Sequence, residues 1–183
     1  MKIAFVNGKG GVGKSTLCYL MALALREAGK EVGILDRDPQ ETLAGIIRAK
    51  HDDIGEAGEF LLIDTAPNLL AEEVAATIKE ADRIVIPCTP DPFALPVTIS
   101  SAQAIAELKR KKAKAFVVLN QMQSGTKLGI AAPAVLRKAL SLPMLNTEIG
   151  FRHSIKRVSA EGWGKLDREV KESVLKLALE VIS

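Results

Sequence analysis

The sequence predicts an α/β fold, a mostly parallel sheet with helices on both faces. Three observations carry this. Short apolar runs of strand length alternate with longer helix-length segments along the chain, the pattern of parallel strands joined by crossover helices. Three of the runs end on a polar residue, Asp36, Asp64 or Asn120, at the strand ends where open parallel sheets bind ligands. A hydrophobic content of 48% with only 4% aromatics suits an aliphatic core. At 183 residues the expectation is one domain, 1–183, with a substantial core.

The elements follow in order. Ile3 to Val6 reads as a buried strand and Ser15 to Ala28 as a helix. Within that helix Leu17 to Leu25 is apolar all round, which implies burial, yet it is about half the length that spans a bilayer. Gly29 stands where a helix C-cap belongs. Glu31 to Leu35 is a second strand ending at Asp36. Glycines and charges obscure any period between Thr42 and Glu59. Phe60 to Ile63 is a third strand, ending at Asp64. Arg83 to Ile86 is a fourth, stopped by Pro87. Phe116 to Leu119 is a fifth, ending at Asn120. A helix from Pro133 to Leu140, a short strand at Met144-Leu145 and a closing helix from Leu166 to Ile182 complete the chain. No repeat, low-complexity linker or domain boundary is visible.

The turn between the first strand and helix, Gly8-Lys9-Gly10-Gly11-Val12-Gly13-Lys14-Ser15, satisfies the phosphate-binding pattern G-x-x-x-x-G-K-S/T in its proper strand–loop–helix setting. Such a loop turns successive backbone N–H groups into a concavity that holds phosphate oxygens. Gly10, Gly11, Val12, Gly13, Lys14, Ser15 and Thr16 are therefore the candidate nucleotide-binding residues. Lys14 would reach the β- and γ-phosphates, and the Ser15 hydroxyl would ligate Mg²⁺. The predicted architecture is accordingly that of the P-loop NTPases, a three-layer sandwich. Asp64, delivered by the buried run Phe60-Leu61-Leu62-Ile63, has the Walker B arrangement and is a second candidate in the magnesium shell.

Cys18 and Cys88 make no metal-ligand or redox pair in sequence, so a reduced, cytoplasmic compartment is expected. His51 and His153 are isolated and read as surface residues. No secretory signal or transmembrane helix is evident. The net charge of +3 hides an asymmetry. Residues 1–100 hold 10 Lys/Arg against 15 Asp/Glu, a net of −5, and residues 101–183 hold 15 against 7, a net of +8. A basic second half suits an anionic partner, nucleic acid or membrane; solvated helix faces that differ in charge explain it equally well.

Lys9-Gly10-Gly11-Val12-Gly13-Lys14-Ser15-Thr16, then Ile34-Leu35-Asp36-Arg37-Asp38-Pro39-Gln40, then Ile63-Asp64-Thr65-Ala66-Pro67 resembles, in order, the ParA/MinD family of deviant Walker A ATPases. Ala81 to Pro87 is similar to that family's next strand. The resemblance implies ATP and Mg²⁺ as ligands and hydrolysis to ADP and phosphate. It implies that Lys9 is a signature lysine reaching the partner subunit's phosphates in an ATP-bound homodimer. It places Asp38 at the attacking water and Asp36 behind magnesium through a water, although Asp36-Arg37-Asp38-Pro39 also reads as an acidic turn. Lys9, Lys14 and Asp38 are the catalytic candidates. Asn120 is a candidate for the adenine edge, and equally a turn former.

Within the family three readings compete. The first is a ParA-type partition or cargo-positioning ATPase that binds DNA nonspecifically in its ATP state, is served by a ParB-like adaptor and associates with the nucleoid. The second is a MinD-like ATPase that switches onto a membrane. The third is a small-molecule kinase or ligase on a related P-loop fold. The last helix mixes Arg168, Lys171 and Lys176 with Asp167, Glu169, Glu172 and Glu180 and has no Trp or Phe, so it reads as a core helix rather than a lipid-facing one. DNA contact requires clustered cations. Arg152, Lys156 and Arg157 lie where the resemblance places such residues. The denser run Lys109-Arg110-Lys111-Lys112, with Lys114, also sits at a helix C-terminus, where the dipole favours cations. No helix-turn-helix is evident, so any DNA contact is expected to ignore sequence.

Overall fold

A computed structural model describes residues 1–50, 54–123 and 125–183; His51 lies outside them. Six strands, β1 (Lys2–Phe5), β2 (Val32–Arg37), β3 (Phe60–Thr65), β4 (Arg83–Cys88), β5 (Lys114–Met122) and β6 (Met144–Gly150), form one sheet in the order β2-β3-β1-β4-β5-β6. Every neighbouring pair is parallel. Side chains alternate between the faces, as strand geometry requires. Ile3 and Phe5 of β1 join one core and Ala4 and Val6 the other. The first core is covered by α1 (Lys14–Glu27), α2 (Thr42–Lys50), α6 (His153–Glu161) and α7 (Arg168–Ile182). The second is covered by α3 (Glu72–Glu80), α4 (Ala94–Leu108) and α5 (Lys127–Ala139). This is the expected three-layer sandwich.

Leu17, Cys18, Tyr19, Leu20, Met21 and Ala22 of α1 are all nearly sealed from solvent, as their unbroken apolarity implied. Burial raises the thiol pKa of Cys18 well above its ordinary value and that of Cys88 to about 11. His153 is exposed, set edge-to-face on Phe151.

Several boundaries differ from expectation. Pro87 does not stop β4, which continues to Cys88. The carbonyls of Val85 and Pro87 both point toward β1, and the β1–β4 ladder ends where Val6 N–H donates to the Val85 oxygen. Pro87's missing N–H therefore falls where no ladder bond is required. On its other edge β4 stays in register with β5, Pro87 opposite Val118. Asn120 lies inside β5 rather than at its end, because pairing with β6 resumes beyond a register shift at Met122 opposite Gly150. The final strand spans Met144–Gly150, not two residues. It is an edge strand, and its N–H groups at Asn146 and Thr147 donate to the Glu180 carboxylate of α7 at 2.7 and 3.0 Å, which blunts the exposed edge. Helix α5 begins six residues before Pro133, with Thr126 as N-cap accepting from Gly129 N–H at 3.0 Å.

Candidate functional site

The phosphate loop leaves β1 at the centre of the sheet, where the connections diverge to either side and open α/β sheets bind ligands. Gly13 caps α1 with φ +91°. A Cβ there would stand 2.3 Å from the Asn120 Nδ2, so both conformation and space demand glycine. Two side chains from the β5 bulge clamp the loop. Asn120 donates to the Val12 carbonyl at 2.8 Å and Gln121 to the Gly11 carbonyl at 3.1 Å. Gln121 itself sits at φ +56°, a left-handed conformation uncommon for a residue other than glycine. With these carbonyls held from behind, the opposite edges of their peptides face outward. Among the described residues, the N–H groups of Gly10, Gly11, Gly13, Lys14 and Ser15 make no hydrogen bond within the chain. They border a cavity of ≈ 500 Å³ lined also by Asp38, Gln40, Thr42 and Pro67.

The charges around this cavity are unequal. Lys14 is only 7% exposed, and its ammonium donates to the Lys9 carbonyl at 3.4 Å. Its burial lowers its pKa, against the opposing pull of Asp64 and Asp38. Asp64 is 1% exposed, and desolvation, helped by the charge of Asp36, pushes its pKa up to about 6; nearby Ser15 and Lys14 hold it back. Its Oδ1 accepts from Thr65 N–H at 3.1 Å, and its buried Oδ2 has no hydrogen-bond partner. A buried, anionic, partnerless oxygen close to a serine hydroxyl suits a hard cation such as Mg²⁺, which takes oxygen ligands. These residues thus fit the metal that the loop implies.

Asp36 is engaged differently. Its Oδ1 accepts from Asp38 N–H at 3.0 Å, and its Oδ2 from Leu43 and Ala44 N–H at 3.0 and 2.9 Å. It therefore ties down the β2–α2 connection that carries Asp38 and caps the start of α2. Asp38 lines the cavity and accepts from Gln40 N–H at 3.0 Å. Lys9 is half-exposed and borders a neighbouring cavity of ≈ 310 Å³ with Thr89, Asp91 and Gln121, and among the described residues its ammonium makes no ion pair or hydrogen bond. Thus Lys14, Ser15 and Asp38 line one space, with buried Asp64 beside Ser15 and Lys14 and Asp36 behind it, while Lys9 borders an adjoining cavity that shares Gly10, Gly11 and Gln121.

Beyond Thr16, a smaller cavity of ≈ 100 Å³ lies between the loop and the start of α6, walled by Asn120, Phe151, Arg152, Ile155 and Lys156. Arg152 pairs with Glu169 at 2.8 Å, Lys156 stands 4.8 Å over the Phe151 ring, and Arg157 pairs with Glu161 at 3.0 Å. In the other basic run, Lys109 donates to the Ala113 carbonyl, Arg110 to the carbonyls of Glu80 and Ala81 and to Asp82, and Lys114 to the Ser183 carbonyl. Three of its five cations are thereby structural ties.

Sequence reasoning gave no role to Gln121, Phe151 and Asn7, and quoted Gln40 only as part of a motif. A signal existed for two of them. Asn7 is a polar residue directly after a buried strand, two positions before Lys9, and Gln121 extends Asn120 into a polar pair after an apolar run.

A glycine-rich loop at the head of a parallel sheet, with a lysine, a serine and a buried carboxylate converging on its cavity, defines a P-loop nucleotide-binding domain. The chain belongs to the CobQ/CobB/MinD/ParA nucleotide binding domain family, whose model matches residues 3–163. It is 25% identical over 208 aligned residues, 98% of this chain and 95% of the relative, to the maintenance of carboxysome distribution protein A of Halothiobacillus neapolitanus. Its fold is similar to that of MinD in the MinC:MinD cell division complex of Aquifex aeolicus, with a TM-score of 0.78 at 14% identity, covering 97% of this chain and 94% of that one. It is also similar to cobyrinic acid a,c-diamide synthase of Mycobacterium smegmatis, solved with ADP and magnesium, with a TM-score of 0.74 at 16% identity over 97% and 91%. A positioning protein and a metabolic synthase thus share the architecture, so the fold alone does not choose between them.

Proposed function

We propose that this chain is a Mg²⁺-dependent ATPase that positions a cargo, forming a homodimer across bound ATP and releasing it after hydrolysis to ADP and phosphate. The observation that carries the reading is Lys9, a half-exposed cation with no partner among the described residues, in the phosphate loop but facing an adjoining cavity beside Thr89, Asp91 and Gln121, on the side where a second subunit would approach. Near-full-length similarity to a carboxysome-distribution protein favours the positioning branch over the synthase branch.

Lys14 and the outward N–H groups of the loop would hold the β- and γ-phosphates, and Ser15 and Asp64 would hold magnesium. Magnesium, when bound, neutralises phosphate charge as a Lewis acid. Asp38 orients the water that attacks the γ-phosphorus as the bond to the bridging oxygen breaks, a task of positioning rather than covalent chemistry. Lys9 of each subunit adds a second cation to the partner's phosphates. The small cavity beyond Thr16 takes the base, against Phe151 and Ile155, so Asn120 serves both the loop and the base pocket. In the ATP state the exposed cations of α6 on two subunits form one nonspecific DNA surface, and a ParB-like adaptor stimulates turnover in the cytoplasm, on the nucleoid.

Membrane switching is disfavoured by α7. Its apolar stripe of Val170, Val174, Leu177, Ala178 and Val181 is buried against the sheet, with Leu179 its one large exposed apolar residue. Among the described residues no helix is long and apolar enough to cross a membrane.

Light scattering with ATP and Mg²⁺ tests the proposal. The wild type should double in mass with ATP and not with ADP, and Lys9→Ala should bind nucleotide yet remain monomeric. A wild type that stays monomeric with ATP, or a Lys9→Ala dimer equal to wild type, overturns it.

A further inference from the structure

Asn7 is fully buried, two residues after β1, and both its amide hydrogens and its carbonyl oxygen are engaged. Its Nδ2 donates to the Pro87 carbonyl at 2.7 Å and to Thr98 Oγ1 at 2.9 Å. Its Oδ1 accepts from Lys9 N–H at 2.9 Å and lies 3.2 Å from Ser101 Oγ, whose one hydrogen is shared with the Val97 carbonyl at 2.7 Å. The adjoining peptide joins the same cluster, Gly8 N–H donating to Ser101 Oγ at 3.1 Å. Three parts of the fold therefore meet at one side chain: the entry to the phosphate loop, the end of β4 and the middle of α4.

The arrangement has a clear physical origin. The β1–β4 ladder ends at the Val6–Val85 bond, which leaves the Pro87 carbonyl facing β1 with no backbone donor. Asn7 supplies that donor. The same carboxamide turns the N–H groups at the head of the loop inward, with Ser101, while those from Gly10 onward face the cavity. The direction of the Lys9 peptide, and hence the point from which its side chain leaves the loop, is thus set by residues of α4 about ninety positions away. Buried polar clusters that are fully satisfied hold one geometry, and removing a single member leaves its partner desolvated and unpaired.

We propose that Asn7 is a positioning residue that fixes the Lys9 backbone and couples the phosphate loop to α4, so that nucleotide occupancy is felt along that helix. The inference rests on the nucleotide-binding reading above. Helix α4 is a suitable receiver. It is joined to the loop by Thr98 and Ser101, both buried, and its start carries Phe93 and Val97, 77% and 36% exposed, the surface through which a change in its position would be read outside the protein.

The test uses the whole chain and two readouts. The isosteric Thr98→Val removes the hydroxyl that Asn7 meets and touches no residue of the phosphate cavity; Thr98→Ser keeps it. Titration with a fluorescent ATP analogue and Mg²⁺ should show affinity reduced about 5- to 20-fold in Thr98→Val, the effect of one unpaired buried group, and unchanged within about twofold in Thr98→Ser. A merely structural role would lower the melting temperature of both without separating their affinities. Independently of any variant, hydrogen exchange on the wild type should show α4 amides slowed by saturating nucleotide while α7 amides are unmoved. Wild-type binding with α4 exchange unchanged, or Thr98→Val binding as wild type does, overturns the coupling and leaves the nucleotide reading intact. A wild type that binds no nucleotide overturns both.

Discussion

Asp64→Asn should make the empty protein more stable while disabling it. The carboxyl is 1% exposed, one oxygen has no partner, and its pKa is raised from 3.8 to about 6, chiefly by desolvation and then by Asp36. The folded state thus holds this proton more tightly than the unfolded chain. Between those two values the folded state binds more protons, so stability falls as pH rises, and the loss is complete above about pH 6. Roughly two pK units at about 1.4 kcal/mol each amount to ~3 kcal/mol against the fold at neutral pH. Asn keeps an acceptor for Thr65 N–H but adds a donor that must find a partner, so the expected gain is about 1–3 kcal/mol, or about 2–10 °C in Tm for a chain of this size. Thermal and urea unfolding without nucleotide, at about pH 7.5 and again near pH 3.5, measure it. The gain should be present at the higher pH and absent at the lower, where wild-type Asp64 is itself protonated. Adding Mg-ATP should reverse the order, because only the wild type gains the mass-action stabilisation of the bound complex. A variant less stable than wild type at pH 7.5, or a gain that does not change with pH, would refute the claim that this carboxylate is held at a cost to the fold.

Other perturbations follow from the same geometry. On the proposed reading, in which Asp38 orients the attacking water, Asp38→Ala should retain ATP affinity within about threefold and lower single-turnover hydrolysis by about 10²-fold or more; hydrolysis at the wild-type rate would reduce Asp38 to a turn residue. Gly13→Ala should lose ~2–5 kcal/mol in denaturant unfolding, combining a left-handed backbone with a Cβ driven into the Asn120 amide. The triple variant Arg152→Glu, Lys156→Glu, Arg157→Glu should abolish low-salt DNA binding. ATP affinity should also weaken, because two of these residues wall the cavity beyond Thr16. Single Arg157→Glu, outside that wall, should weaken DNA binding and spare ATP, and gel shifts across a salt series separate the two effects.

Sequence made some of this plain and hid the rest for definite reasons. The phosphate loop is a local motif, so its residues and its helix were legible from eight consecutive positions. Asp64 was legible because an apolar run of the right length delivers it. Strand β6 was not, because an edge strand carries polar residues such as Asn146 and Glu148 that break the hydrophobic signal. Helix α5 was read as starting at Pro133, since proline opens helices more often than it sits inside them, and the Thr126 cap was overlooked. The roles of Asn7, Gln121 and Asp36 depend on partners brought near only by folding, Val12 to Asn120 being 108 residues apart and Asn7 to Thr98 being 91. Asp36 shows a subtler limit. Its place in a motif suggested a role behind magnesium through a water, and only folding reveals the three backbone N–H groups of its own connection that its oxygens also accept from.

The two buried thiols give the molecule an internal clock for local opening. Cys18 belongs to the layer beneath the phosphate loop and Cys88 to the opposite one. Only thiolate reacts with an alkylating reagent, and burial suppresses both ionisation and access. Each cysteine is therefore silent until its own layer breathes, and the ratio of their labelling rates compares the two faces of the sheet directly. A ligand that tightens the loop side alone would slow one reporter and leave the other running, with no probe introduced into the chain.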